Sequence, residues 1–283
     1  MTIQGLPTAT EGFPYIVKIT VLGPGSIPNA GLKDDALSIQ VTFREVGSDR
    51  VYVLRSSIGA RAALETWNGV AVELKDSEIF RTSVEAGKQR SILIDLASIC
   101  PETGRTTLFG DLEIGTYDIT VTLMGCSKPS NTMRVNVVAA DPDERRFLDE
   151  IIAQGPFRLA KGVNWSKVLF RGFRIPKDKW ERLSTNTREQ CAFHALLFSV
   201  PCPDKPIDVD HENEVKAAHV PAFLEPDRAL LLYEMKVARG ERDREEESKL
   251  ANEYPDLEWR LKCVKAGSGD FLWPRKAIKD AKE

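Results

Sequence analysis

Long apolar runs are missing from this sequence of 283 residues. None approaches the ~18–20 residues that a membrane span requires, so no transmembrane helix is expected. Residues Met1 to Phe13 lack the basic stretch and the apolar core of a secretory signal. A cytoplasmic protein is expected, and an exported chain trimmed of its signal would read the same. An excess of either charge is missing too. The 39 Lys and Arg face 42 Asp and Glu, a net charge of −3, which gives no global attraction for nucleic acid or an anionic membrane. Glycine-rich phosphate loops are absent: Gly23–Pro24–Gly25 lacks the third glycine and following helix of a dinucleotide fingerprint, and no Gly-Lys-Ser/Thr occurs.

Histidine and cysteine are scarce, at 3 and 5 residues. An odd cysteine count points to reduced thiols rather than a disulfide framework. Cys100 and Cys126 each follow an expected strand, Ser91–Leu96 and Tyr117–Leu123. Consecutive antiparallel strands end at opposite edges, about 20 Å apart at ~3.3 Å per residue. That exceeds the ~7 Å limit between bridged Cα atoms, so no disulfide is expected there.

What is present is a change of period. The hydrophobic share of 42% and the charged share of 29% suit a soluble globular chain, and the length suits two domains. Before Asp141 apolar residues alternate; after Glu144 they recur every three or four. The junction spells a helix start, with Asp141 as cap, Pro142 in the first turn and Glu144 completing a capping box. Charge shifts at the same point, from roughly 28 charged residues over 1–140 to roughly 53 over 141–283, nearly balanced in sign on both sides as solvated helix faces are.

Seven strands are expected before the junction. They centre on Tyr15–Val21, Leu37–Arg44, Val51–Arg55, Val70–Leu74, Ile92–Leu96, Tyr117–Leu123 and Met133–Val137. The Leu37–Arg44 strand with its hairpin, the turn Glu85, Ala86, Gly87, Lys88, and the run Ile114, Gly115, Thr116, Tyr117 carry a resemblance. Residues 14–139 are similar to bacterial Ig-like domains of the BsuPI-like kind, with Ile114 where those domains carry proline. The resemblance implies an antiparallel Ig-like β-sandwich over 1–140 and transfers no functional residue.

An all-α helical bundle is expected over 141–283. Its first helix runs from Pro142 to Ala153, followed by an irregular stretch at 156–176. A second helical stretch covers Lys177 to Ser199 and breaks at Ser184–Asn186, with Asn186 and Glu189 as a further box. A proline-rich loop then extends towards Pro221. Three helices close the chain at Asp227–Arg239, Glu241–Glu253 and Asp256–Ala266, punctuated by Gly240, Pro255 and Gly267. Ala229, Tyr233, Ala238, Arg239, Gly240 and Tyr254–Pro255 resemble a tetratricopeptide (TPR) hairpin near 227–255. No second copy occurs at the ~34-residue repeat.

Two groups of residues suggest chemistry. Cys191, His194, Cys202, His211 and His219 hold every histidine of the chain, and thiolate with imidazole suits zinc. The same Cys191, with His211 or His219 as base and Asp208 or Asp210 as orienter, would make a cysteine hydrolase. Against this, Cys191 sits among Ala192, Phe193, Leu196 and Leu197 as a small core residue does. The second group is a basic stretch with interleaved aromatics: Trp165, Lys167, Arg171, Arg174 and Trp180 are its candidate binding residues for nucleic acid or a phosphorylated partner. The carboxylates of Glu241 to Glu247 alternate with Arg242 and Arg244, which is solvated helix surface.

The expected function is a non-enzymatic protein-binding or scaffold protein without cofactor, with peptidase inhibition as one sub-case of the Ig-like resemblance. The alternatives are a zinc- or cysteine-dependent hydrolase centred on Cys191 and the histidines, and nucleic-acid binding through 161–180.

Overall fold

The computed structural model describes residues 1–23, 25–26, 39–56, 83–96, 113–123, 128–153, 158–159, 162–163, 177–192, 209–258 and 261. Strands β1 (Thr2–Gln4), β2 (Thr8–Thr10), β3 (Ile16–Leu22), β4 (Gly25–Ser26), β5 (Ile39–Glu45), β6 (Val51–Ser56), β7 (Ser83–Val84), β8 (Gln89–Asp95), β9 (Gly115–Leu123) and β10 (Met133–Val138) precede helix α1 (Pro142–Ala153). A two-residue ladder, β11 (Arg158–Leu159) with β12 (Gly162–Val163), lies in the stretch expected to be irregular. Helices α2 (Lys177–Trp180), α3 (Thr185–Gln190), α4 (Val209–Ala217), α5 (Glu225–Ala238) and α6 (Arg244–Glu253) follow, with 3-10 turns at Ala222–Leu224 and Pro255–Leu257. The chain is a mixed α/β protein.

Two larger sheets share one core. Their orders are β1-β3-β8 and β2-β10-β9-β5-β6. Alternation puts Val17, Ile19 and Val21 of the first against Val41, Phe43, Tyr117, Ile119, Val121, Val135 and Val137 of the second, all buried. The five-stranded sheet is mixed rather than wholly antiparallel, because β2 runs parallel to β10. β1 and β2 escape the sequence reading because three residues are too few to show a period. The strand expected at Val70–Leu74 lies outside the described residues, as do Cys100 and Cys126.

β3 is buried almost throughout, because a second layer covers its other face. Ile16 and Leu93 pack against Ala192, Val215, Val220, Leu224, Leu231 and Met235 from the helical half. Large apolar side chains buried this way contribute about 1.5–3 kcal/mol each. The outer face of the five-stranded sheet stays polar and accessible: Thr42, Thr120 and Asp118 are partly buried, Arg44, Thr122 and Arg134 exposed.

The junction folds as a capping box. Asp141 Oδ1 accepts from the backbone N–H of Asp143 at 2.9 Å and of Glu144 at 2.8 Å, and Glu144 Oε2 accepts from the Asp141 N–H at 2.9 Å. Phe147 of α1 stacks on Phe13, with centroids 6.1 Å apart. Gly12 turns the chain there with φ +81, a conformation that strains any side chain, and a Cβ on it would press on Leu148 Cδ1 at 2.8 Å.

Other helix limits move for local reasons. The 177–199 stretch does break where expected, but the cap is Ser184, whose Oγ accepts from the Thr187 N–H at 3.2 Å, and not Asn186. α4 stands in the stretch read as loop. α5 closes in a Schellman turn: Glu241 N–H reaches Lys236 O at 2.9 Å, Gly240 N–H reaches Val237 O at 3.0 Å, and Gly240 has φ +84. The next helix therefore starts at Arg244 under Asp243, not at Glu241. α6 folds back along α5, and Leu230, Tyr233, Leu257 and Leu261 form a further core.

Glu144 carries more than its cap. It is buried, and its Oε1 also accepts from Ser184 Oγ at 2.7 Å and from Thr187 Oγ1. Replacing Asp141 by Ala is expected to lower unfolding free energy by about 1 kcal/mol. Glu144→Ala is expected to lower it by about 3 kcal/mol, since the buried Thr187 hydroxyl loses its acceptor as well. Urea unfolding of both variants measures the difference; equal losses would confine Glu144 to capping.

Candidate functional site

The described members of the Cys/His group lie as follows. Cys191 is buried, 1% exposed, at the end of α3, where its N–H bonds Thr187 O at 3.0 Å. His219 is 71% exposed, its Nε2 at 2.7 Å from Glu189 Oε1. His211 belongs to α4. His194 and Cys202 lie outside the described residues. Among the described residues no three His, Cys, Asp or Glu side chains are placed to hold a metal ion. Of the basic–aromatic group, Trp165, Lys167, Arg171 and Arg174 lie outside the described residues. Trp180 ends α2, partly buried, one residue after Lys179, which pairs with Glu150 of α1.

The structure instead draws attention to how its strand edges are finished. β2 is one margin of the five-stranded sheet. The side-chain amide of Gln190 lies along it, with Oε1 accepting from Thr10 N–H at 2.6 Å and Nε2 donating to Thr10 O at 3.1 Å. Thr10 Oγ1 also meets Thr187 Oγ1 at 2.7 Å. β1, a margin of the three-stranded sheet, is treated alike: Asn131 Oδ1 accepts from Ile3 N–H at 2.7 Å, and its Nδ2 donates to Ile3 O at 3.4 Å. In each case one primary amide replaces a missing strand partner.

The other margin of the five-stranded sheet is β6. Among the described residues no strand and no side chain completes it. Its polarity follows from the hairpin. Glu45 N–H bonds Arg50 O at 3.1 Å, so that pair is hydrogen-bonded, and alternation makes Phe43–Tyr52 and Val41–Leu54 hydrogen-bonded too. The backbone groups of Val51, Val53 and Arg55 therefore point away from β5. Val51 and Val53 are also 42% and 43% exposed. Val46 in the hairpin and Ile114, just before β9, are exposed at the same end of the sheet, where Val46 N–H bonds Thr116 O at 2.8 Å.

The electrostatic centre of the molecule lies on its opposite side and is closed. Lys18 of β3 is buried beneath the helices. Its Nζ lies 2.7 Å from Asp256 and 3.8 Å from Asp227, and Ser91 Oγ donates to Asp256 at 2.6 Å. Burial alone would raise the Asp256 carboxyl. The Lys18 charge and the hydrogen bonds from Lys18 and Ser91 outweigh burial and hold it below the ordinary aspartate range. Lys18 and Ser91 are both committed to Asp256. At the other end of α5, Lys216 and Arg239 hold the Glu212 carboxyl down in the same way, each at 2.5 Å. Burial pushes the Tyr254 hydroxyl up to about 12.

No family model matches the chain, and no curated protein matches it. Among solved structures there is a likeness to the crystal structure of a beta-glucosidase from Listeria innocua in complex with gluconolactone. Identity is 14%, the match covers 48% of this chain and 16% of that chain, and the TM-score is 0.24. A likeness of that size bears on neither fold nor function.

The Lys18 cluster makes a pH prediction. A folded-state pKa below the ordinary ~3.9 gives stability that is present above that value and lost as pH falls through the folded one. Asp256→Asn should therefore flatten the decline of melting temperature below about pH 5. Lys18→Ala, which removes the cation between two buried carboxylates, should destabilise by about 3–5 kcal/mol in thermal or urea unfolding.

Proposed function

We propose that this chain is a non-enzymatic protein-binding or scaffold protein, and that it binds a partner segment in extended conformation along β6. In this reading the two sheets form an Ig-like sandwich, the helices form a bundle backing its three-stranded side, and α5–α6 is a TPR-like hairpin. One observation carries the proposal: among the described residues the margins at β1 and β2 are finished by side-chain amides, whereas β6 shows outward backbone groups flanked by exposed valines. Natural sheets protect bare edges with lysine, proline or bulges. Val51–Leu54 carries none of these and is apolar on both faces. An added strand would gain backbone hydrogen bonds for affinity and alternate side-chain contacts for specificity. The burial of Cys191 supports the same choice, because its sulfur lies in the core out of reach of a substrate.

The test is site-resolved amide exchange in dilute protein, together with an edge-blocking substitution. Amides of Val51 and Val53 should exchange at least tenfold faster than those of Tyr52 and Leu54, which bond to β5. Val53→Lys should change stability by no more than about 0.5 kcal/mol while abolishing the binding of eight-residue peptides of alternating valine and threonine, followed by chemical-shift titration. Slow exchange at Val51 and Val53 in the monomer would mean that the chain covers its own edge, and the proposal would fall.

A further inference from the structure

We infer that the occupant of the β6 edge is a second copy of this chain, paired antiparallel about a two-fold axis through Tyr52. The inference rests on the reading of β6 as an open binding edge. The register follows from which residues face outward. Antiparallel neighbours that share a face must be of the same parity, and hydrogen-bonded pairs across the new joint must be drawn from Val51, Val53 and Arg55. With the axis at Tyr52, Val51 of each copy meets Val53 of the other. Each Val51–Val53 pair exchanges two backbone hydrogen bonds, and both exposed valines of both copies are covered.

The same register sets Asp49, beside the start of β6, opposite Arg55 of the other copy, twice over. The seven-residue run Asp49-Arg50-Val51-Tyr52-Val53-Leu54-Arg55 is thus complementary to itself in apolar pattern and in charge, which an isologous contact requires. Moving the axis to Val53 pairs Val51 with Arg55 and leaves Asp49 without an opposite charge. The Tyr52 register is therefore the favoured one. The joint turns two five-stranded sheets into one of ten, with the polar outer faces continuous and the helical layers at a distance. A two-strand contact buries little area and belongs to the weak, reversible class.

Sedimentation velocity from about 5 to about 500 micromolar suits an association of that class. The wild type should pass reversibly from monomer to dimer across this range, and Val53→Lys should remain monomeric with an unchanged melting temperature. Register is read separately. Under mild oxidation a mixture of Val51→Cys and Val53→Cys chains should form reducible dimers several-fold more than either variant alone or the wild type. A chain that stays monomeric, a dimer indifferent to Val53→Lys, or cross-linking that does not need mixing would overturn the inference. Amide exchange in the monomer then separates the two failures. Fast exchange at Val51 and Val53 leaves the edge open to another partner, and slow exchange overturns the binding-edge reading as well.

Discussion

A strand at the margin of a sheet carries N–H and C=O groups that must find a partner or stay in water, and the arrangement of this molecule follows from how that requirement is met at each edge. At β2 it is met by Gln190, an amide on α3. That contact fixes much else. With the Gln190 side chain spanning Thr10, Thr187 is brought against Thr10, and the Thr187 hydroxyl is delivered to Glu144. Glu144 in turn closes the cap of α1. One edge strand is thereby tied to two helices through groups that are all buried, and removing one takes a partner from its buried neighbours. β1 and β2 can be as short as three residues because their margins are completed by side chains rather than by further backbone.

The three-stranded sheet meets a different constraint, being covered on both faces. Its helix-facing side contains Ile16, Leu93, Lys18 and Ser91, so a cation and a hydroxyl must be buried together with apolar residues. The apolar neighbours supply the adhesion, since each large one is worth about 1.5–3 kcal/mol, while a buried ion pair returns little beyond its own desolvation. The role left for Lys18 is positional. It accepts only an arrangement that brings Asp256, at the Pro255–Leu257 turn, and Asp227, in the first turn of α5, to the same place. Asp227 sits where the helix dipole also favours a negative charge.

Much of this was legible in the sequence where the determinants are local. The Asp141–Glu144 box depends on residues three apart, and Pro142–Ala153 is helical as the pattern predicts. Six of the seven expected strand positions are occupied within a residue or two at most ends, because alternation survives in strands of six residues or more. What was hidden depends on distant partners. The burial of Lys18 needs Asp256, more than two hundred positions away, and period-2 alternation cannot show that the face opposite the core is covered too. The second role of Glu144 needs Ser184 and Thr187. Val209–Ala217 follows a proline-rich run that masks its start. As for the Cys/His group, the sequence could place Cys191 in a helical, apolar context, and the structure buries it there.

The candidate site was the least legible feature, for a reason that lies in the type of interaction. Val51–Arg55 reads as a strand, but whether a strand is central or marginal is a property of sheet order, and nothing in the strand itself states it. Recognition by strand addition uses peptide groups, which every residue has, so it leaves no motif of catalytic kind. The helical half, with its dense charge and all the histidines, therefore looked like the place for chemistry. Among the described residues several of its charged groups are paired with one another: Arg239 with Glu212 and Glu241, Arg228 with Glu225 and the Ala218 carbonyl, Lys236 with Glu246. The helices also cover the three-stranded sheet. That leaves the five-stranded sheet as the larger accessible β-surface among the described residues, and β6 as its unfinished side. An amide on the far margin and bare valines on the near one give that sheet a direction in which it can grow.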